Sequence, residues 1–153
     1  METFMKHRSL LVVAAAVLLL GADDKEDAII KTRTKLLGIW NVAAYEAMGA
    51  RDPELSQQLK VLITEKDFIV QQKDNEAKSG YRIDPTQKPM HINLVPASGP
   101  NMDKNLPGIF ELDGDTLKVI WNDKGKGRPK EFKTAMDSGN VMLILKRQKT
   151  AQP

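Results

Sequence analysis

The stretch of sequence that decides the fold is Lys35-Leu36-Leu37-Gly38-Ile39-Trp40-Asn41-Val42-Ala43-Ala44-Tyr45. From Ile39 it is rich in β-forming and small residues, and the spacing of Gly38 and Trp40 suits an indole placed across the floor of an antiparallel barrel. The last apolar run of the chain, Val141 to Arg147, has the composition of a strand that closes against it. We therefore predict that these two segments are the first and last strands of one closed sheet.

The segments between them alternate β-rich runs with turn residues at a spacing of about 8–12 residues, which is typical of an all-β sandwich or barrel. The strongest turn signal is Asp113-Gly114-Asp115, where a glycine between aspartates separates two β-rich runs and indicates a hairpin. The other predicted strands are 59–64, 68–72, 77–83, 90–95, 107–112, 116–121 and the short 132–134. We predict an all-β fold, a small antiparallel up-and-down (lipocalin-like) β-barrel of about eight strands with a short N-terminal helix and a helical turn over 54–58.

The first 22 residues have the pattern of a secretory signal peptide. Basic Lys6 and Arg8 precede an apolar run from Leu10 that is shorter than the about 20 residues needed to span a membrane, and small residues end the segment at Ala22. The predicted division is a signal peptide over 1–22, a short helical lead-in over 23–35, a lipocalin-like barrel domain over 36–148 and a disordered tail over 149–153. We expect an exported protein, periplasmic or secreted, with no stable membrane insertion after signal cleavage. The alternatives are a retained N-terminal anchor and a wrongly assigned start codon.

Composition argues against several classes of function. The chain has no cysteine, which removes thiol chemistry, Cys-based metal sites and disulfides. The most basic segment, 124–133, contains an acidic residue and one Phe, so we predict no nucleic-acid partner. His91 is the one histidine outside 1–22, and a catalytic base or a zinc site would need further partner residues. We therefore predict no enzymatic activity, no catalytic residues, no metal and no cofactor.

Four segments resemble a known protein family. They are Leu-Leu-Gly-Ile-Trp over 36–40, Leu-Pro-Gly-Ile-Phe-Glu-Leu-Asp-Gly-Asp-Thr-Leu over 106–117, Arg-Pro-Lys-Glu-Phe over 128–132 and Val-Met-Leu-Ile-Leu-Lys-Arg over 141–147. The chain resembles, over about residues 36–147, an uncharacterised family of small exported lipocalin-like domains that is abundant in planctomycete bacteria. The resemblance implies the fold and export, and it carries no established activity or catalytic residues.

Gly38 and Trp40 also resemble the Gly-x-Trp of the first lipocalin strand, which packs under a basic residue from near the end of the barrel. Arg147, or Lys146, fits that basic position. An arginine over an indole face contributes about 0.5–2 kcal/mol, depending on how dry the pair is. The resemblance thus implies a structural barrel floor made by Gly38, Trp40 and Arg147.

Alternation along the strands selects the residues that face into the barrel. The candidates for lining a pocket are Val42, Val61, Ile63, Phe68, Val70, Tyr81, Phe110, Val119 and Leu143. If they enclose a connected space of about 300 Å³ or more that opens at one end, the protein binds a small apolar ligand in the barrel. If they fill the interior, the protein is a protein-interaction or structural module with no ligand. The sequence leaves both alternatives open and identifies no protein partner.

Overall fold

The computed structural model describes residues 13–150, with side chains from residue 21 onward. Its elements in chain order are α1 (Val13–Leu36), β1 (Gly38–Ala47), β2 (Ala50–Arg51), α2 (Pro53–Gln58), β3 (Leu59–Ile63), β4 (Asp67–Gln72), β5 (Asn75–Asp84), β6 (Met90–Pro96), β7 (Leu106–Asp113), β8 (Thr116–Asn122) and β9 (Asn140–Arg147). Two parts of the predicted division lie outside the described residues: residues 1–12 of the predicted signal peptide and residues 151–153 of the predicted tail. Within the described part of the chain, no helix combines the length and apolar character needed to cross a membrane.

The strands form one antiparallel sheet that closes on itself. Each strand from β3 to β8 pairs with the next along the chain, and β1 pairs with both β3 and β9. Trp40 lies opposite Val61 on one side and Arg147 on the other. The result is a closed eight-stranded barrel with β2 as one extra two-residue strand, so the predicted antiparallel barrel and its closure are confirmed.

The predicted hairpin after β7 is also present, because β7 and β8 pair up to Asp113 and Thr116 and leave a two-residue turn. Gly114 has a φ of 56° in that turn, a left-handed conformation that suits glycine. The predicted helical turn before β3 is α2, whose first turn is capped by Asp52: its Oδ1 accepts from Leu55 N at 2.9 Å. Local turn and cap chemistry therefore places these connections where the sequence indicates them.

One predicted strand is wrong. Residues 132–134 pair with no strand and lie in the irregular connection 123–139. Phe132 packs instead on the outer face of the barrel, against Ile109, Ile120 and Met142. These three side chains point away from the interior and would be exposed without that cover, so the apolar residue in the loop serves a second, outer cluster and not a strand.

The first helix is longer than the predicted lead-in and closes one end of the barrel. It runs without a break from Val13 through the predicted boundary at Ala22, in a segment of Ala and Leu that are strong helix formers. Nearer its end, Leu36 is buried in the barrel core and Arg33 lies over the ring of Tyr81 at 5.7 Å. Lys25 Nζ lies 3.0 Å from Asp84 Oδ2. The helix thus contacts the end that we call the closed end.

The opposite end of the barrel carries the longer connections. They are 48–58 between β1 and β3, 97–105 between β6 and β7, and 123–139 between β8 and β9, together with the short turn at 73–74. Gly49 N donates to Thr134 Oγ1 at 3.2 Å, and Asn101 Nδ2 donates to the Asp123 carbonyl at 2.8 Å. These loops therefore contact one another and form the rim of what we call the open end.

Candidate functional site

The barrel interior is filled by side chains. Of the nine residues predicted as pocket lining, eight are buried in one cluster and Val70 is half-buried at its edge. The cavity left among Leu36, Phe68, Tyr81, Ile92, Phe110, Leu117 and Val119 has a volume of about 10 Å³. A space of that size holds at most one water molecule, so these inward side chains form a packed core and enclose no ligand chamber.

The three residues assigned to the barrel floor lie together at the closed end. The Arg147 guanidinium carbon is 4.2 Å from the centroid of the Trp40 ring, which is fully buried. Arg147 Nη1 donates to the Leu37 carbonyl at 2.8 Å, and Trp40 Nε1 donates to the Leu36 carbonyl at 2.9 Å. Both side chains therefore hold the segment that joins α1 to β1.

Gly38 is required at its place in this floor for two reasons. Its φ is +131°, in the range that favours glycine, and a Cβ there would lie 3.2 Å from Arg147 Nη1. A larger residue would have to strain the backbone and displace the guanidinium. Gly38, Trp40 and Arg147 therefore form a structural plug at the closed end.

A pocket of about 260 Å³ opens on the other side of the core, at the open end. It lies between β4, β5, the connection 97–105 and the end of β8, and we call it the mouth pocket. It is lined by Phe68, Val70, Ala77, Lys78, Ser79, Leu94, Pro96, Ser98, Pro100, Asn101, Leu106, Trp121 and Asp123. Buried apolar residues form its floor and exposed polar residues its rim, which is the usual build of a small-molecule site.

Phe68 is the wall between the mouth pocket and the packed interior. It lines both the 260 Å³ pocket and the 10 Å³ cavity, and it is 2 % exposed. Its ring meets Trp121 edge to face, with the ring centroids 6.4 Å apart and an angle of 68° between the planes. The pair therefore gives the mouth pocket an aromatic floor and keeps it apart from the core below.

Polar groups of Asn101, Trp121 and Asp123 lie together at one side of the pocket. Trp121 Nε1 lies 3.4 Å from Asp123 Oδ1. Asn101 Nδ2 donates to the carbonyl of Asp123, and Asp123 N donates to the Gly139 carbonyl at 2.7 Å. The backbone at Asp123 is thus fixed by two loops, and its carboxylate projects beside the indole.

The Tyr45 hydroxyl lies at this end of the barrel, near two carboxylates. Its pKa is raised above the ordinary value, first because burial disfavours the phenolate and second because of the nearby carboxylates of Asp123 and Asp52. Tyr45 is therefore a neutral hydrogen-bonding phenol across the physiological pH range.

A second hollow of about 700 Å³ lies beside β2 and α2. Its walls include Met48, Ala50, Arg51, Asp52, Pro53 and Glu54, all of which are exposed. Tyr45, Ala47 and Leu55 complete its walls and are half-buried, so the hollow has no fully buried floor and is a broad surface groove. The mouth pocket is the better candidate for holding a small molecule.

His91 lies away from both hollows, on the outer face of β6. Burial and then the charge of Arg128 lower its pKa below the usual value for histidine, which keeps the imidazole neutral at pH 7. Arg128 itself holds the backbone there, since its Nη1 donates to the carbonyls of Ile92 and Gly108. Among residues 13–150, no three His, Cys, Asp or Glu side chains are grouped closely enough to hold a metal ion.

The sequence did not predict most of the residues that line the mouth pocket. Of the nine predicted lining residues, two, Phe68 and Val70, line it. Trp121 could have been found, because it follows the inward-facing Leu117 and Val119 at the strand period of two. Asn101 and Asp123 carry no such signal, since their place depends on how two loops pack. Comparison with known proteins found no match among protein-family models, curated proteins or solved structures.

Proposed function

We propose that the protein is an exported, non-catalytic binding module that takes one small, largely apolar ligand at the mouth of a filled barrel. The observation that carries the proposal is the contrast between the two spaces on either side of Phe68: about 260 Å³ at the mouth and about 10 Å³ inside. The proposed site thus lies at the open end, whereas the sequence placed the expected site in the barrel interior. The resemblance to small exported lipocalin-like domains agrees with this proposal.

The size of the pocket limits the ligand and its affinity. A ligand the size of 2-phenylethanol, with nine non-hydrogen atoms, fits a space of this volume. At about 0.3–0.6 kcal/mol per atom it would gain about 3–5 kcal/mol, which corresponds to a Kd of about 0.1–10 mM. A natural ligand that binds with a lower Kd would contact more of the rim residues.

The test uses tryptophan fluorescence in a Trp40→Phe background, where Trp121 is the remaining tryptophan of the two in the chain. Titration with 2-phenylethanol should give a saturable change in the Trp121 emission. Ala77→Phe places a ring in the pocket and should abolish that change. Glu76→Phe is the matched control, because this neighbouring exposed residue does not line the pocket. No saturable change in the background protein, or an equal change in both variants, would reject the mouth pocket as the site.

The proposed export is tested separately, by the mass of the mature protein. Asp23 begins a charged segment of α1, directly after the predicted cleavage site at Ala22. We expect the intact mass of the protein recovered from its native host to begin at Asp23. A mass that retains residues 1–22 would instead support an N-terminal anchor.

A protein-interaction module is the second candidate, and one specific observation favours it. Met48, Met102 and Met136 are 70 %, 54 % and 76 % exposed, and all three lie on loops of the open end. Exposed methionines give a soft apolar surface that adapts to a protein partner. A photo-crosslinking residue at 102 or 136 should then capture one defined protein in the native host, while the same residue at Arg82, on the outside of β5, should not.

A further inference from the structure

The mouth pocket has two ionisable side chains in its wall, and only one of them is neutralised. These are Lys78 and Asp123. Lys78 Nζ lies 3.2 Å from Asp67 Oδ2, so its charge is paired within the protein. Asp123 takes part in none of the ion pairs formed by the described side chains. The pocket therefore carries a net negative charge on one side.

The cation nearest to Asp123 in sequence is directed elsewhere. The aliphatic chain of Lys124 packs over Gly139, where a Cβ would lie 2.8 Å from its Cδ. Its Nζ points to the Asp137 carbonyl at 3.4 Å. The Asp123 carboxylate receives one long bond, from the Trp121 indole, and a carboxylate has about four acceptor positions. It can thus accept further hydrogen bonds from a ligand.

The carboxylate also acts on its surroundings in the barrel mouth. After the effect of burial, the charge of Asp123 raises the pKa of the nearby Tyr45 hydroxyl. A cation at Asp123 would gain from the carboxylate, and the neighbouring Trp121 side chain offers apolar contact to the rest of the ligand. The apolar floor made by Phe68 and Leu94 would take the rest of such a ligand.

We propose that the mouth pocket selects small organic amines: the protonated amine pairs with the Asp123 carboxylate beside the Trp121 indole, and an apolar body fills the floor. This inference rests on the proposed function and adds the chemical class of its ligand. No other residue in the wall of the pocket offers a free charge, so ligands of equal body should bind in the order cation, neutral molecule, anion.

The experiment compares three ligands of nearly equal shape in the Trp40→Phe background. They share a phenylethyl body and differ in the polar group: 2-phenylethylamine is a cation at pH 7, 2-phenylethanol is neutral, and 3-phenylpropanoate is an anion with a slightly larger polar group. We expect the amine to bind about tenfold more tightly than the alcohol, and the anion to bind more weakly than both. The preference for the amine should shrink as salt rises, because the carboxylate is exposed.

Asp123→Asn keeps the acceptor for the indole and removes the charge. It should weaken binding of the amine about three- to tenfold and leave the alcohol unchanged. Asp103→Asn is the matched control, since it removes an exposed carboxylate from the connection 97–105, and Asp103 itself does not line the pocket. It should change neither ligand.

A failure of the amine proposal can be distinguished from a failure of the proposed function. Equal affinity for amine and alcohol, or an equal loss of both in Asp123→Asn, would overturn the amine proposal while the mouth pocket stands. A failure of all three ligands to bind would overturn the proposed function as well.

Discussion

Phe68→Ala should open the barrel interior to the mouth pocket, because Phe68 is the shared wall of the two spaces. Loss of a fully buried Phe side chain removes about 1.5–3 kcal/mol of burial. The cavity left behind, about 50–100 Å³ after partial relaxation, adds about 1–2.5 kcal/mol at about 24 cal/mol per Å³. The edge-to-face contact with Trp121 is also lost. We expect the free energy of unfolding to fall by about 3–5 kcal/mol.

The assay is urea unfolding followed by circular dichroism, with the slope of the transition checked for change. A Trp40→Phe, Phe68→Ala protein should also bind 2-phenylethanol more tightly than the Trp40→Phe background, since the ligand reaches a deeper apolar space. Val70→Ala is the matched control, because Val70 lines the mouth pocket and is only half-buried. It should cost about 1 kcal/mol. A loss below about 1 kcal/mol in Phe68→Ala, with the slope unchanged, would refute the description of Phe68 as a packed wall.

Three further predictions concern the closed end. Trp40→Ala should cost about 3–5 kcal/mol in denaturant unfolding, as other large core truncations do, and a parent-like midpoint would mean that Trp40 is not the floor of the barrel. Gly38→Ala should cost about 1–3 kcal/mol, because φ is +131° there, whereas Gly127→Ala, at an open position without that φ, should stay near the parent stability. The pKa of Asp84 lies well below its usual range, through hydrogen bonds from the Thr86 hydroxyl and then Lys25, so its contribution is present above the unfolded-state pKa of about 3.9 and is lost as pH falls below it. The stability difference between the parent and Asp84→Asn should therefore be largest near pH 6 and shrink towards pH 2, and a difference that does not change with pH would contradict this assignment.

The barrel could be predicted from the sequence because its strands are short, consecutive and marked by local signals. The stretch 36–45 and the hairpin at Gly114 are examples, since a period of two and a turn glycine act within a few residues. The short run 132–134 has the same composition as a strand, but no edge remains for it in a closed barrel. Composition alone could not separate a strand from the cover of an outer apolar cluster.

Of the residues that line the candidate site, only those of its apolar floor could be predicted from the sequence. Phe68 and Val70 were found because alternation places them inward, and the same rule extends to Trp121. The rim depends on contacts between residues far apart in the chain, such as Asn101 with Asp123. Alternation also does not predict whether the inward side chains leave a cavity, since that depends on how their volumes fill one small barrel.

The division between a filled interior and an open mouth has a physical reason in this chain. A small domain without cysteine must draw its stability from its apolar core, and a ligand chamber inside a small barrel would remove much of that core. Here the packed side chains from Trp40 to Phe68 stabilise the fold, and the loops 97–105 and 123–139 supply the polar rim. Substitutions in these loops should therefore change ligand preference at nearly constant stability, while substitutions below Phe68 should change stability first. The position of Phe68 between the two sets makes it the residue where both properties change together.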